Sequence, residues 1–264
     1  MDWGKSGDTG LSIWGVYSVW RRHLKVYQNT WLVNSLPPLS EPIIYLLAFG
    51  FGLSPLIPKL IYGGREVTYL QFIGPGMIAV GVLFQSFFEG AYGSFIRLQF
   101  QKTWQALLTA PLTFTEVFLG DWLWAATRGT LAGLTTGLVV VLLGLYPPIA
   151  LLLSVPLLIL GALLFGGIGL LTAGLVRTVD QINVPIFLVV VPMFALCGTY
   201  FPRDNLPPVL GIIARFLPLA ALIDLLRWPL AWPPVAPALL VWLMLWVGVM
   251  GGLAWRVIHP QVYR

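Results

Sequence analysis

The chain has 264 residues, of which 58% are hydrophobic and 9% charged, with a mean hydropathy of +0.86 and a net charge of +5. Soluble domains carry about 25% charged residues because they face water on all sides. Most of this surface therefore faces lipid, and a soluble catalytic domain is excluded. The cations are scattered along apolar segments with no dense basic tract and no zinc spacing, which argues against nucleic acid.

Met1 to Ser12 is polar and lacks the apolar core of a secretory signal, so the first membrane segment is expected to act as its own anchor. Residues 1–34 form the first predicted unit, a cytoplasmic tail and an amphipathic helix; 35–264 form the second, a six-helix transmembrane domain. Over 13–31, Ile13, Trp14, Tyr17, Trp20, Leu24, Tyr27 and Trp31 recur at steps of mainly three and four. At 100° per residue they share one face, with Arg21, Arg22, Lys25 and Asn29 opposite. That pattern predicts a helix lying in the membrane interface.

A span needs about 20 apolar residues. Six segments qualify: 37–58, 70–93, 115–143, 148–176, 184–201 and 236–258. With both ends in the cytoplasm, nine cations lie inside (Lys5, Arg21, Arg22, Lys25, Arg97, Lys102, Arg177, Arg256, Arg264). Five lie outside (Lys59, Arg65, Arg203, Arg215, Arg227), and Arg128 is in a span. The positive-inside rule selects this orientation.

Between the second and third spans, Gln101 to Ala110 can form a short helix whose Trp104, Leu107 and Leu108 share a face, with Pro111 limiting it. Exposed anchors of this kind suit a groove on another protein, and an interfacial loop helix is the alternative. Residues 203–233 mix Arg203, Asp204, Arg215, Asp224 and Arg227 with apolar residues and five prolines, with Pro234 directly after. They are expected to break into short re-entrant helices, since a seventh span would bury too many charges.

Glu89 in the second span and Arg128 in the third are intramembrane charges, expected to meet as an ion pair or to serve a proton or substrate role. Glu41 heads the first span; Arg177 and Asp180 border a short turn; His23 and His259 flank the membrane and are expected at headgroup level or in solvent. The single cysteine, Cys197, reads as a small buried hydrophobe. There is no His-Glu-x-x-His, no Gly-x-Ser-x-Gly, no metal-ligand set and no Gly-rich phosphate loop. Any energy the chain uses must then come from a partner or a gradient.

Phe72-Ile73-Gly74-Pro75-Gly76-Met77-Ile78-Ala79 resembles the Pro-Gly element of type-2 ABC exporter permeases. Phe88 to Gly133, with Glu89, Tyr92-Gly93, Phe95, Arg97, Thr103-Trp104, Ala106-Leu107-Leu108, Pro111, Gly120-Asp121 and Trp124 to Arg128, is similar to the nodulation-factor, lipochitooligosaccharide-exporting branch. So are Gly198 to Pro202, Leu206-Pro207, Phe216 to Leu219 and Ile223 to Arg227. The resemblance covers roughly residues 40–230, through the order and spacing of these motifs.

The resemblance implies an all-α, multi-pass permease of the bacterial inner membrane, paired with a second copy as a homodimer and with two ABC ATPase subunits that use ATP and Mg. It assigns a gate helix to 13–31 (Trp14, Tyr17, Trp20, Arg21, Arg22, Lys25). It assigns a coupling helix to about 99–111, where Gln101, Lys102, Thr103, Trp104, Leu107 and Leu108 would meet the ATPase. Residues 203–233 become outer re-entrant helices. The cargo class is an amphipathic glycolipid, lipooligosaccharide or polysaccharide, or a hydrophobic drug. Phe187, Phe194, Tyr200, Phe201 and Phe216 are candidate pathway residues, with aromatic faces for sugar rings and acyl chains; many tryptophans are expected to belong to the lipid-facing belt. The rival readings are a gradient-driven transporter and an integral-membrane acyl- or glycosyl-transferase built on Glu89 and Arg128.

Overall fold

A computed structural model describes residues 11–57 and 59–263; the tail 1–10 with Lys5, and Arg264, lie outside the described residues. The helices in chain order are α1 (Ile13–Gln28), α2 (Trp31–Gly52), α3 (Tyr69–Phe88), α4 (Thr103–Leu108), α5 (Phe114–Leu142) and α6 (Pro148–Leu153). Then come α7 (Val155–Leu175), α8 (Asn183–Pro185), α9 (Val191–Leu196), α10 (Pro208–Phe216), α11 (Pro218–Leu226) and α12 (Ala236–Val262). Among the described residues, five stretches are long and apolar enough to cross a membrane: Tyr69–Phe100, Phe114–Leu142, Val155–Leu175, Val179–Leu196 and Ala236–Val262. α2, 22 residues and so about 33 Å long, takes the place of the first predicted span.

The boundaries moved where polar residues misled. The second span does not stop at 93: α3 runs on through π-helical turns at Glu89–Gly93 and Ile96–Phe100, so Arg97 is part of the bundle rather than a loop cation. The fifth ends at Leu196, leaving Tyr200, Phe201 and Pro202 beyond the helix. The fourth breaks at Ser154, because Pro156 has no N–H to donate to the preceding turn. As expected of its prolines, 208–226 forms two short helices, bent by 81° at Leu217. An unanticipated hairpin, β1 (Leu60–Tyr62) with β2 (Arg65–Val67), turns on Gly63 and Gly64, both at positive φ.

Two helix starts are fastened in the same way. Thr68 and Thr113 each accept the amide of the third helical residue, Gln71 and Glu116, whose side chains return a bond to the cap amide. Glu116 does more: its Oε1 also accepts Ser12 N at 2.8 Å, tying the start of α1 to the start of α5. At the core, α3 and α7 approach so closely that a Cβ on Gly90 would lie 2.6 Å from the Gly166 carbonyl, and one on Gly169 2.5 Å from that of Phe87. Lipid offers helices little hydrophobic incentive to associate, so small residues that admit close packing serve instead. Cys197 is fully buried.

The bundle has two distinct ends. One carries α4 and both ends of the described chain: Ser12 on Glu116, and Tyr263 beside Phe114 at 6.4 Å. The other carries the hairpin, the Gly144–Pro147 turn and the α10–α11 pair, where Tyr146 Oη donates to Leu226 O at 2.8 Å.

Candidate functional site: a buried charge network at the base of α4

α5 enters the bundle from the α4 end, and Asp121 sits two turns inside it, fully buried. Arg97, from the second π-helical turn, places Nε 2.9 Å from Asp121 Oδ1 and Nη1 2.8 Å from Glu89 Oε1. Ser94 Oγ donates to Asp121 Oδ2 at 2.5 Å, and Trp124 Nε1 donates to Glu89 Oε1 at 3.0 Å. His23 Nε2, from α1, lies 3.0 Å from Asp121 Oδ1. Two carboxylates and two guanidiniums balance, so the charges compensate one another where desolvation would otherwise be costly.

The π-helical turn makes this geometry. Its wider winding carries Glu89 and Arg97 onto one side, and a Cβ at Gly93 would lie 2.6 Å from Glu89 Oε1. Glycine there leaves room for the carboxylate.

The expected Glu89–Arg128 ion pair is present, as one link of this larger network. Arg128 Nε stands 3.5 Å from Glu89 Oε2, whereas Arg97 is the close partner. Arg128 also stacks over the Tyr27 ring at 4.6 Å. With its amide oxygen turned toward Arg128, Gln85 accepts from Nη2 and Nε at 2.5 and 3.1 Å. His23 is corrected: it is 5% exposed, stacked on Trp124 at 5.9 Å, not a headgroup-level residue. His259 is half-buried between Trp255 and Phe114, at 4.9 and 4.8 Å. Hydropathy had no means of finding His23 or Asp121, because their partners lie on other helices.

α1 packs lengthwise on the first half of α5, Gly15 against Glu116, Val19 against Gly120 and Tyr27 against Trp124. Its buried face is Gly15, Val16, Val19 and His23, with Val16 and Val19 set close against Gly120. The expected division of aromatic from basic faces is therefore corrected. Trp14, Tyr17, Arg21, Arg22 and Lys25 line one outward depression together. Trp20 is half-buried, its indole donating to Thr127 Oγ1 at 2.9 Å.

α4 is shorter than expected and faces the other way. Trp104 is 1% exposed, wedged between Phe114 and Phe118 at 5.9 and 6.4 Å, with Leu107 and Leu108 half-buried around it. It is a plug in the bundle, not an outward anchor. The exposed side carries Gln101, Lys102, Ala106, Thr109 and Ala110, while Thr103 is buried. Lys102 adopts a left-handed conformation (φ 51°), uncommon for a residue with a Cβ.

The pathway candidates divide. Phe194 and Tyr200 join at 5.3 Å in an aromatic group with Tyr45, Phe49 and Phe84. Phe84, Phe88 and Tyr92 continue it at four-residue spacing, 5.8 and 5.9 Å apart, down to the charge network. Phe187 and Phe216 are exposed and Phe201 is half-buried; none of them is brought to this stripe. The four-residue spacing of Phe84, Phe88 and Tyr92 was the signal available in the sequence.

At the hairpin end Arg227 is buried, with no carboxylate in ion-pair reach among the described residues. It donates to Phe72 O at 3.1 and 3.2 Å and to Gly198 O at 2.7 Å, with its guanidinium 3.7 Å from the Phe72 ring centroid. Burial pushes the Tyr62 hydroxyl above its ordinary pKa, against the opposing pull of Arg227, so it stays neutral.

Comparison with known proteins adds the family. The profile described as ABC-2 type transporter matches residues 15–230. Nodulation protein J of Rhizobium leguminosarum bv. viciae is 36% identical over 219 residues, 83% of each chain. Its counterpart in bv. trifolii is 37% identical over 210 residues, 80% of this chain and 79% of the relative. The inner membrane transport permease YadH of Escherichia coli (strain K12) is 27% identical over 222 residues, 80% of each.

Proposed function

The chain belongs to the ABC-2 type transporter family as a transmembrane permease subunit of an ABC exporter, and from that premise we propose that it couples ATP hydrolysis to movement of an amphipathic saccharide across the inner membrane. Family membership implies pairing with an ABC ATPase subunit. In the proposed assembly two ATPase subunits, which bind ATP and Mg, act on two identical permease chains, and the α4 end with both termini faces the cytoplasm.

The charge network is the observation that carries the coupling. α4 is attached on both sides: Arg97 lies in the turn that leads into it, and Trp104 is packed on the start of α5 that follows it. A push on its exposed side, Lys102, Ala106 and Thr109, moves Arg97 relative to Asp121. Asp121 also holds His23, so the same displacement is felt by α1. An ion network has more than one way to pair its charges, which suits a junction with two arrangements better than apolar packing does. Arg128, now shared by Gln85, Glu89 and Tyr27, is the natural recipient of a released Glu89.

The aromatic stripe supports the cargo class. It is half-exposed along Phe84, Phe88 and Tyr92 and runs from the network toward the hairpin end. Ring faces accept the C–H face of a sugar and the length of an acyl chain alike. Two chains facing one another across this stripe would enclose a path.

Co-purification with a cognate ATPase subunit tests the arrangement. Ala106→Glu is expected to abolish complex formation while the isolated permease keeps its melting temperature. A complex that forms in normal yield with that substitution would move the docking surface elsewhere.

A further inference from the structure

At the hairpin end, an open cavity of about 500 Å³ lies between the β1–β2 hairpin, the Pro202–Asp204 turn, the α10–α11 pair and the start of α12. We infer that this cavity binds a neutral saccharide head group of one or two pyranose rings, as an exit-side subsite for the exported molecule; the inference rests on the saccharide reading of the cargo.

The wall chemistry selects the ligand. Arg203, Arg215 and Arg227 alternate with Asp204 and Asp224, so the cavity offers donors and acceptors side by side. The remaining wall is apolar or aromatic, with Tyr62 and Phe72 among it. A pyranose presents the matching pair of surfaces, a rim of hydroxyls that both give and accept and a face of C–H groups. The size falls within the ordinary range for small-molecule sites, about 300–1,000 Å³.

Two other ligand classes fit less well. A phosphate or sulfate needs several cations free of counter-charge, and two of these three are paired with carboxylates. Arg203 Nη2 is 2.5 Å from Asp224 Oδ2, Arg215 is 3.6 Å from Asp204, and Arg227 is bound to carbonyls. An acyl chain would strip water from five charged groups without replacing it. By contrast, Asp224 Oδ1 is buried and has no hydrogen-bond partner among the described residues. A sugar hydroxyl would supply the missing donor.

Calorimetry on the permease–ATPase complex in phosphatidylcholine nanodiscs tests this, with chitotetraose as the probe and inorganic phosphate in a parallel arm. Saturable tetrasaccharide binding is expected, weakened at least tenfold by Asp224→Asn and about threefold by Asp204→Asn. Asp204 is exposed, so its substitution keeps the test valid even where Asp224→Asn disturbs the fold. Binding of phosphate in place of the sugar, or sugar binding indifferent to both substitutions, would overturn the subsite. ATP turnover stimulated by an acylated chitotetraose, without binding of the free sugar, would overturn the subsite and keep the cargo reading. Sugar binding at Asp224 without that stimulation would keep the subsite and remove the cargo reading.

Discussion

Arg97 and Arg227 are both buried arginines, at opposite ends of one helix bundle, and they are satisfied by opposite means. Arg97 faces two carboxylates, a serine and, through Asp121, a histidine. Arg227 faces two backbone carbonyls and two aromatic rings. A carbonyl is fixed by its helix and has no second protonation or rotameric state to offer, so Arg227 works as a rivet joining α3, the Gly198 turn and the end of α11. Carboxylates on separate helices can exchange partners, so Arg97 belongs to a junction able to rearrange. The difference suggests that the two ends have different mechanical duties, one held and one driven.

The comparison breaks most easily at Asp121. Asp121→Asn removes one of two anions, leaving Arg97 under-compensated and His23 without its carboxylate; a loss of roughly 3–5 kcal/mol is expected for breaking a buried pair. Thermal unfolding in nanodiscs measures it, and a change below about 1 kcal/mol would mean the network is solvated rather than structural. The rivet should be less sensitive to charge and more to shape. Arg227→Lys keeps the charge but loses the planar fork and the ring stacking, and is expected to cost about 1–3 kcal/mol. Transport-coupled ATP turnover should survive it after correction for folded fraction, whereas Asp121→Asn should uncouple the remainder. Equal uncoupling by both would erase the distinction. The smallest effect concerns Lys102, whose left-handed backbone strains any residue with a Cβ. Lys102→Gly should stabilise by up to about 1 kcal/mol, a size typical of relieving that conformation. If it lowers turnover while raising stability, the strain serves the coupling rather than the fold.

How much of this was legible in the sequence depended on whether the signal was local. Hydropathy located the apolar helices within several residues, and proline spacing foretold the bend at Leu217, because both act along the chain. The α1 periodicity was also local, and the helix is there. Its packing was not local. Gly15 and Val19 looked unimportant beside the tryptophans, yet they form the docked face because Gly120 on α5 permits close contact. The same blindness reversed α4. Trp104, Leu107 and Leu108 do share a face, but a helical wheel does not say whether a face meets the core or a partner, and here Phe114 and Phe118 claim it. Of the charge network, Glu89 and Arg128 stood out for lying in apolar runs. Arg97 was assigned to a loop because a π-helical continuation has no signature in residue spacing, and Asp121 lay too near a helix start to look intramembrane.

The inward-facing Trp104 has a consequence for how this exporter could change over time. The residue that secures α4 to the bundle is physically separate from those on its outer side, so the two can vary independently. Lys102, Ala106, Thr109 and Ala110 form a strip open to resurfacing. A permease built this way could acquire a different motor by a few substitutions on the outer side of Lys102 to Ala110, with its interior untouched.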